Sequence, residues 1–262
     1  LQLTFLVLVT GCKKEENKEF TDFPIIESYL QAGSFLNVKI SRQIPFSSGV
    51  TYSSDDINNL TLKVEYNNAT HILEPLGDGK YIDSSIIVTE GATYNLSFMF
   101  NSKNVSAYTY VPVKPINVSQ STTSLTIAQV TVGSGPPSGG FTMPDPVKIS
   151  WTNSDASYYL ITVENLETTL TPIRDFGDNA PPTNIFKKSP TNSNSEEIRS
   201  FEFQYYGTHR IVIYHVLPDY ATLYNQNSTS SQNLTNPSTS IVNGYGIFTG
   251  LNSDTVYVEI NQ

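Results

Sequence analysis

The chain has 262 residues, room for two domains of ordinary size, with 38% apolar, 15% charged and 11% aromatic residues, including 16 Tyr and 13 Phe. Its net charge of −9 argues against nucleic acid, whose binding calls for a clustered basic surface. The single cysteine excludes an internal disulfide and a four-thiolate metal site, so stability must come from sheet burial. Abundant Ser, Thr and Asn beside aromatic and β-branched residues give the look of an extracytoplasmic all-β protein.

Residues 1–11 read as a truncated signal peptide, without initiator Met or basic n-region. The apolar run Phe5 to Val9 is too short to span a bilayer, which takes roughly 20 residues, and small residues follow it. Leu8-Val9-Thr10-Gly11-Cys12 resembles a lipobox, which implies acylation of Cys12 and anchoring in a membrane through two or more chains. An ordinary buried thiol is the competing reading. Lys14, Glu15 and Glu16 resemble an export signal to the outer face of the outer membrane, against the plainer reading of a solvated tether over residues 12–22.

Residues 23–116 read as an antiparallel β-sandwich. Leu36, Val38 and Ile40 alternate with polar residues, as do Leu60, Leu62, Val64 and Tyr66, and then Tyr94, Leu96, Phe98 and Phe100. His71 to Leu76 is expected to form a partner strand, Gly77-Asp78-Gly79 a tight turn into Lys80-Tyr81-Ile82, and Val105 to Val111 a further strand. Residues 45–59 read as a polar loop, and no stretch has helical period.

Residues 117–262 read as a second sandwich. Strands are expected at Thr126 to Val132, Val147 to Trp151, Tyr158 to Asn165, Phe201 to Tyr205 and His209 to Val216. Gly133 to Gly140 is a flexible loop, 172–197 a long loop, and Asp219 to Asn227 a short helix. The closing IVNGYGIFTGLNSDTVYVEI is expected to form a hairpin docked on this half. The stretch from Val147 to Asn165 resembles two strands of a fibronectin III-like fold with its lone Trp in the core, so the fold class expected is two immunoglobulin-like or fibronectin III-like β-sandwiches in tandem.

The lipobox, the PIIESYLQAG opening with VKISRQIPF, the EPLGDGKYIDS turn, the EGATYNLSF strand and the closing IVNGYGIFTGLNSDT occur in one order. Together they resemble the Bacteroidota outer-membrane lipoproteins of domain-of-unknown-function family 4249. The resemblance implies an all-β lipoprotein facing the surface or the periplasm, often encoded near TonB-dependent outer-membrane receptors. It carries over no catalytic residue and no cofactor.

Candidate sites are sparse. His209 and His215 lie about 20 Å apart on one strand face at about 3.3 Å per residue, so they cannot share a metal ion, and with His71 they read as structural. Asp55, Asp56, Asp78 and Asp83 offer oxygen ligands for calcium, yet follow no EF-hand spacing and read first as turn residues. No Gly-x-Ser-x-Gly elbow is present, and Gly133 to Gly140 lacks the Gly-Lys-Ser/Thr of a phosphate loop. Tyr205, Tyr206, Tyr214, Tyr220 and Tyr224 form the one cluster with binding character, since tyrosine suits sugar stacking and interfaces; strand packing is the competing reading. The expectation is therefore a non-enzymatic accessory subunit of an outer-membrane transport complex, with carbohydrate or peptide capture, or an unrecognised hydrolase, as alternatives.

Overall fold

A computed structural model describes residues 22–43, 53–131, 143–175, 183–227 and 240–262. Cys12, the Lys14, Glu15 and Glu16 pattern and the Gly133 to Gly140 loop lie outside the described residues. In chain order, β1 (Pro24–Gln31) and β2 (Phe35–Arg42) precede a helical turn, α1 (Asp55–Asn58). β3 (Lys63–Tyr66), β4 (Ala69–Ile72), β5 (Glu74–Gly77), β6 (Lys80–Ile87), β7 (Thr93–Phe100) and β8 (Lys103–Tyr110) follow. Then come β9 (Ser119–Gln120), β10 (Ser124–Thr126), β11 (Val130–Thr131), β12 (Val147–Ser150), β13 (Tyr158–Asn165), β14 (Arg174–Asp175), β15 (Ile185–Lys187) and β16 (Ser195–Ile198). A 3-10 turn (Ser200–Glu202), β17 (Gly207–Val216), α2 (Pro218–Asn227) and β18 (Tyr245–Asn261) complete the fold.

The protein is all-β and sandwich-like. A nine-stranded sheet runs β15-β13-β17-β18-β1-β2-β6-β5, with β10 added beside β18. A four-stranded sheet, β4-β3-β7-β8, packs against one half of it, and a three-stranded sheet, β16-β12-β9, against the other. Period-two alternation explains the first core: Leu36, Val38 and Ile40 of β2 and Tyr94, Leu96, Phe98 and Phe100 of β7 point inward and are buried. The second core gathers Val147 and Ile149 of β12, Ile161 and Val163 of β13, and Ile211 and Ile213 of β17 around Trp151.

The last strand joins the two cores. Along one edge β18 pairs antiparallel with β17, from Leu251 to Ile260. Along the other it pairs in parallel with β1, Tyr245 to Leu251 lying against Ile25 to Gln31, and then with β10. Phe248 is wholly buried in the first core, while Val258 and Ile260 belong to the second. The expected C-terminal hairpin is thus replaced by one strand of 17 residues. Its glycines serve close approach rather than reversal. A Cβ on Gly246, whose φ is +100°, would fall 2.0 Å from the Ile26 carbonyl oxygen, and one on Gly250 2.1 Å from that of Tyr110.

Other expectations change too: Thr126 to Val132 is not one strand, since β10 ends at Thr126 and β11 covers only Val130–Thr131, and the polar loop 45–59 holds α1. His71 to Leu76 is not one strand: β4 belongs to the four-stranded sheet and β5 to the large one, with buried Leu73 at the crossing. Phe201 to Tyr205 is no strand; Ser200–Glu202 forms a 3-10 turn, where Glu202 accepts the Arg199 N–H at 2.8 Å. The long loop 172–197 carries β14, β15 and the start of β16.

Sharing β18 couples the halves. Phe248→Ala removes a ring from the first core and is expected to cost about 3–5 kcal/mol. Trp151, in the second core, reports whether the other half follows. Urea titration should show the Trp151 fluorescence midpoint falling together with that of far-UV circular dichroism. An unmoved Trp151 midpoint would mean that the cores unfold separately.

Candidate functional site

Strands β13 and β17 alternate in step. Their odd-numbered residues face the second core, so Leu160, Thr162 and Glu164 of β13 and Arg210, Val212, Tyr214 and Val216 of β17 share the opposite, outer face. That face is unusually apolar for the outside of a sandwich. Helix α2 explains part of this, because Tyr220 and Tyr224 pack with Tyr158 and Tyr214 over Leu160, Val216 and Leu251. Beside the helix the face stays open as a groove of ≈ 540 Å³, bordered across the sheet by Glu27, Tyr29 and Gln31 of β1.

Tyr29 meets Tyr220 edge to face, ring centres 6.0 Å apart at 74°. Burial, and then the nearby Glu27 carboxylate, pushes the Tyr29 phenol up from its ordinary value. The Tyr220 phenol rises too, first through burial and then through the phenols of Tyr29, Tyr224 and Tyr214. Across the groove Arg210 pairs with Glu164, which raises the pKa of the guanidinium, and Lys187 of β15 stands beside them. Asp219 anchors the start of α2: its Oδ1 accepts the Thr249 hydroxyl at 2.9 Å and the Tyr220 N–H at 2.8 Å. Burial raises the Asp219 carboxyl above the usual range despite these donors.

The structure splits the tyrosine cluster. Tyr205 and Tyr206 are not surface contacts: both are buried, and the Tyr206 hydroxyl donates to the Ile127 carbonyl at 2.8 Å. Tyr214, Tyr220 and Tyr224 do gather, on the outer face. Sequence reasoning missed Tyr29 and Tyr158. The Glu27, Tyr29, Gln31 alternation marks the outward face of β1, but no local signal brings β1 beside β18.

The histidines, and Asp56 and Asp83 among the aspartates, have structural partners. His71 Nδ1 lies 3.3 Å from Asp83, and His215 Nδ1 donates to the Val113 carbonyl at 2.9 Å while its ring stacks on Tyr159. Asp56 pairs with Arg42, and Asp83 also accepts the N–H and hydroxyl of Ser85. Among the described residues no group of three or more His, Cys, Asp or Glu side chains is placed to hold a metal ion. No protein-family model matches the chain, and a search of the curated proteins returns no match.

His209 gives the site's half of the sheet a pH dependence. Its Nδ1–H donates to the Gly207 carbonyl at 3.0 Å and its Nε2 accepts from Asn165 at 3.3 Å, the pattern of a neutral ring. Burial lowers its pKa from 6.5, outweighing the Gly207 hydrogen bond and the charges of Glu259 and Glu167. Below pH 6.5 the unfolded chain therefore binds a proton that the folded chain refuses, so stability falls as the pH drops. Thermal unfolding at pH 7.5 and 5.5 should show a smaller loss in His209→Gln, the difference not exceeding about 1.4 kcal/mol per pH unit. Parallel profiles for the two proteins would contradict a buried neutral ring.

Proposed function

We propose that the chain is a lipid-anchored outer-membrane protein acting as a non-enzymatic binding and assembly subunit of a transport complex of the TonB-dependent kind. The groove between α2 and β1 is its ligand site, and this observation carries the reading. It is concave, apolar at its floor and edged by a few polar groups, which is the make-up of ligand sites. Anchoring through Cys12, with Lys14, Glu15 and Glu16 as export signal, rests on the lipobox pattern of the sequence. The two cores are proposed as an immunoglobulin-like and a fibronectin III-like unit fused through β18.

The assembly role has its own support. Tyr108 and Tyr110 of β8 both point outward from the four-stranded sheet, 64% and 50% exposed, and exposed tyrosine is typical of interface patches.

The test is recovery of the tagged protein from its native outer membrane in mild detergent. A transporter barrel is expected in stoichiometric amount, lost in Cys12→Ala and reduced in a Tyr108→Ala, Tyr110→Ala double variant. A protein recovered alone would sink the assembly reading.

A further inference from the structure

We infer that the groove between α2 and β1 takes a neutral, hydroxyl-rich oligosaccharide. The inference rests on the reading of this groove as the ligand site and names the class of ligand.

The first argument is what the floor withholds. The floor is centred on β17, whose backbone pairs with β13 along one side and with β18 along the other and is held within the sheet. An extended peptide captured by strand addition needs an open edge, and the edge strand β15 borders the groove rather than flooring it. A ligand lying on this face is read by side chains alone.

The second argument is charge. Glu27 and Glu164 are matched by Lys187 and Arg210, and Arg210 is already paired with Glu164. No surplus of either sign remains to offset the desolvation of an ionic ligand. The same set suits hydroxyl groups, which both donate and accept: the carboxylates take their protons, and the guanidinium and ammonium bond to their oxygens.

The third argument is shape. Tyr29 and Tyr220 meet at a steep angle, forming an aromatic corner above a floor that includes Val212. The C–H face of a pyranose is apolar and packs against such rings, while its rim of hydroxyls reaches the polar edge. Tyr29 is 38% exposed, so part of its ring is open to a ligand. At ≈ 540 Å³ the groove suits a short run of sugar units.

The experiment uses the full chain in a detergent without a sugar headgroup, which would otherwise compete. Malto-, cello- and manno-oligosaccharides, acidic oligosaccharides and a pool of unstructured peptides are titrated by calorimetry. Tyrosine ring resonances are followed alongside, assigned with Tyr29→Phe and Tyr220→Phe. A neutral oligosaccharide should bind and shift the Tyr29 and Tyr220 signals. Tyr29→Ala should weaken binding about tenfold, and Met99→Ala, exposed on the four-stranded sheet, should leave it unchanged. Peptide or acidic-sugar binding that depends on Tyr29 would keep the groove as the site and overturn the neutral-sugar class. Neutral-sugar binding indifferent to Tyr29→Ala and Arg210→Gln would overturn the placement. Absence of any binding would overturn both the class and the groove reading.

Discussion

The parallel ladder between β1 and β18 is the constraint on which the rest of the structure depends. Parallel strands need a crossover, and here nearly the whole chain between Gln31 and Tyr245 serves as one. The ladder forms only if β1 approaches closely at Gly246, and if β8 does so at Gly250, whose N–H donates to Thr109 Oγ1 at 2.9 Å. Downstream, Asn252 is buried where the cores meet and donates to Glu90 Oε2 at 2.9 Å and to the Pro112 carbonyl at 3.1 Å. His215 holds the neighbouring Val113 carbonyl in the same way. The connection between the two halves is thereby pinned to the strand that both halves share. Leaving any of these buried polar groups unpaired costs about 1–3 kcal/mol, more than each hydrogen bond contributes net.

The groove is a consequence of that joint. Tyr29 comes from the first strand and Tyr220 from a helix near the end of the chain, and they meet because β18 carries β1 on one edge and β17 on the other. Helix α2 starts directly after β17 and folds back over Leu160, Val216 and Leu251, the outward residues at one end of β13, β17 and β18. Asp219 fixes that fold-back, accepting from Thr249 on β18 and from the helix backbone. A helix laid across a sheet shields only its own width, so the apolar floor continues past it as an open concavity edged by Glu27, Glu164, Lys187 and Arg210.

Where a strand has one buried face and one exposed face, the sequence made it readable. β2, β7 and β13 stand where alternation or apolar runs put them, β13 with the expected limits of Tyr158 and Asn165. β18 was not readable for a physical reason. Gly-Tyr-Gly and Asn-Ser-Asp are turn chemistry by local rules, and only the nearness of Ile26 and Tyr110, both remote in sequence, explains glycine within a strand. Tyr205 and Tyr206 failed in the opposite sense. Their aromatic, amphipathic character matched an interface, but the turn before Gly207 directs them inward, where Tyr206 meets Ile127. Of the site, Tyr214, Tyr220 and Tyr224 were visible as a local cluster, whereas Tyr29 needed the topology.

The same β1 and β18 joint also holds the start of the first strand. Arg42 is ion-paired with both Asp22 and Asp56, Phe23 packs edge to face on Tyr245 at 5.4 Å, and Lys103 lies over the Phe23 ring at 4.9 Å. The start of β1 is therefore held, and Tyr29 lies five residues beyond Pro24, about 17 Å at 3.3 Å per residue. The groove lies toward the far end of β1 from this fixed start.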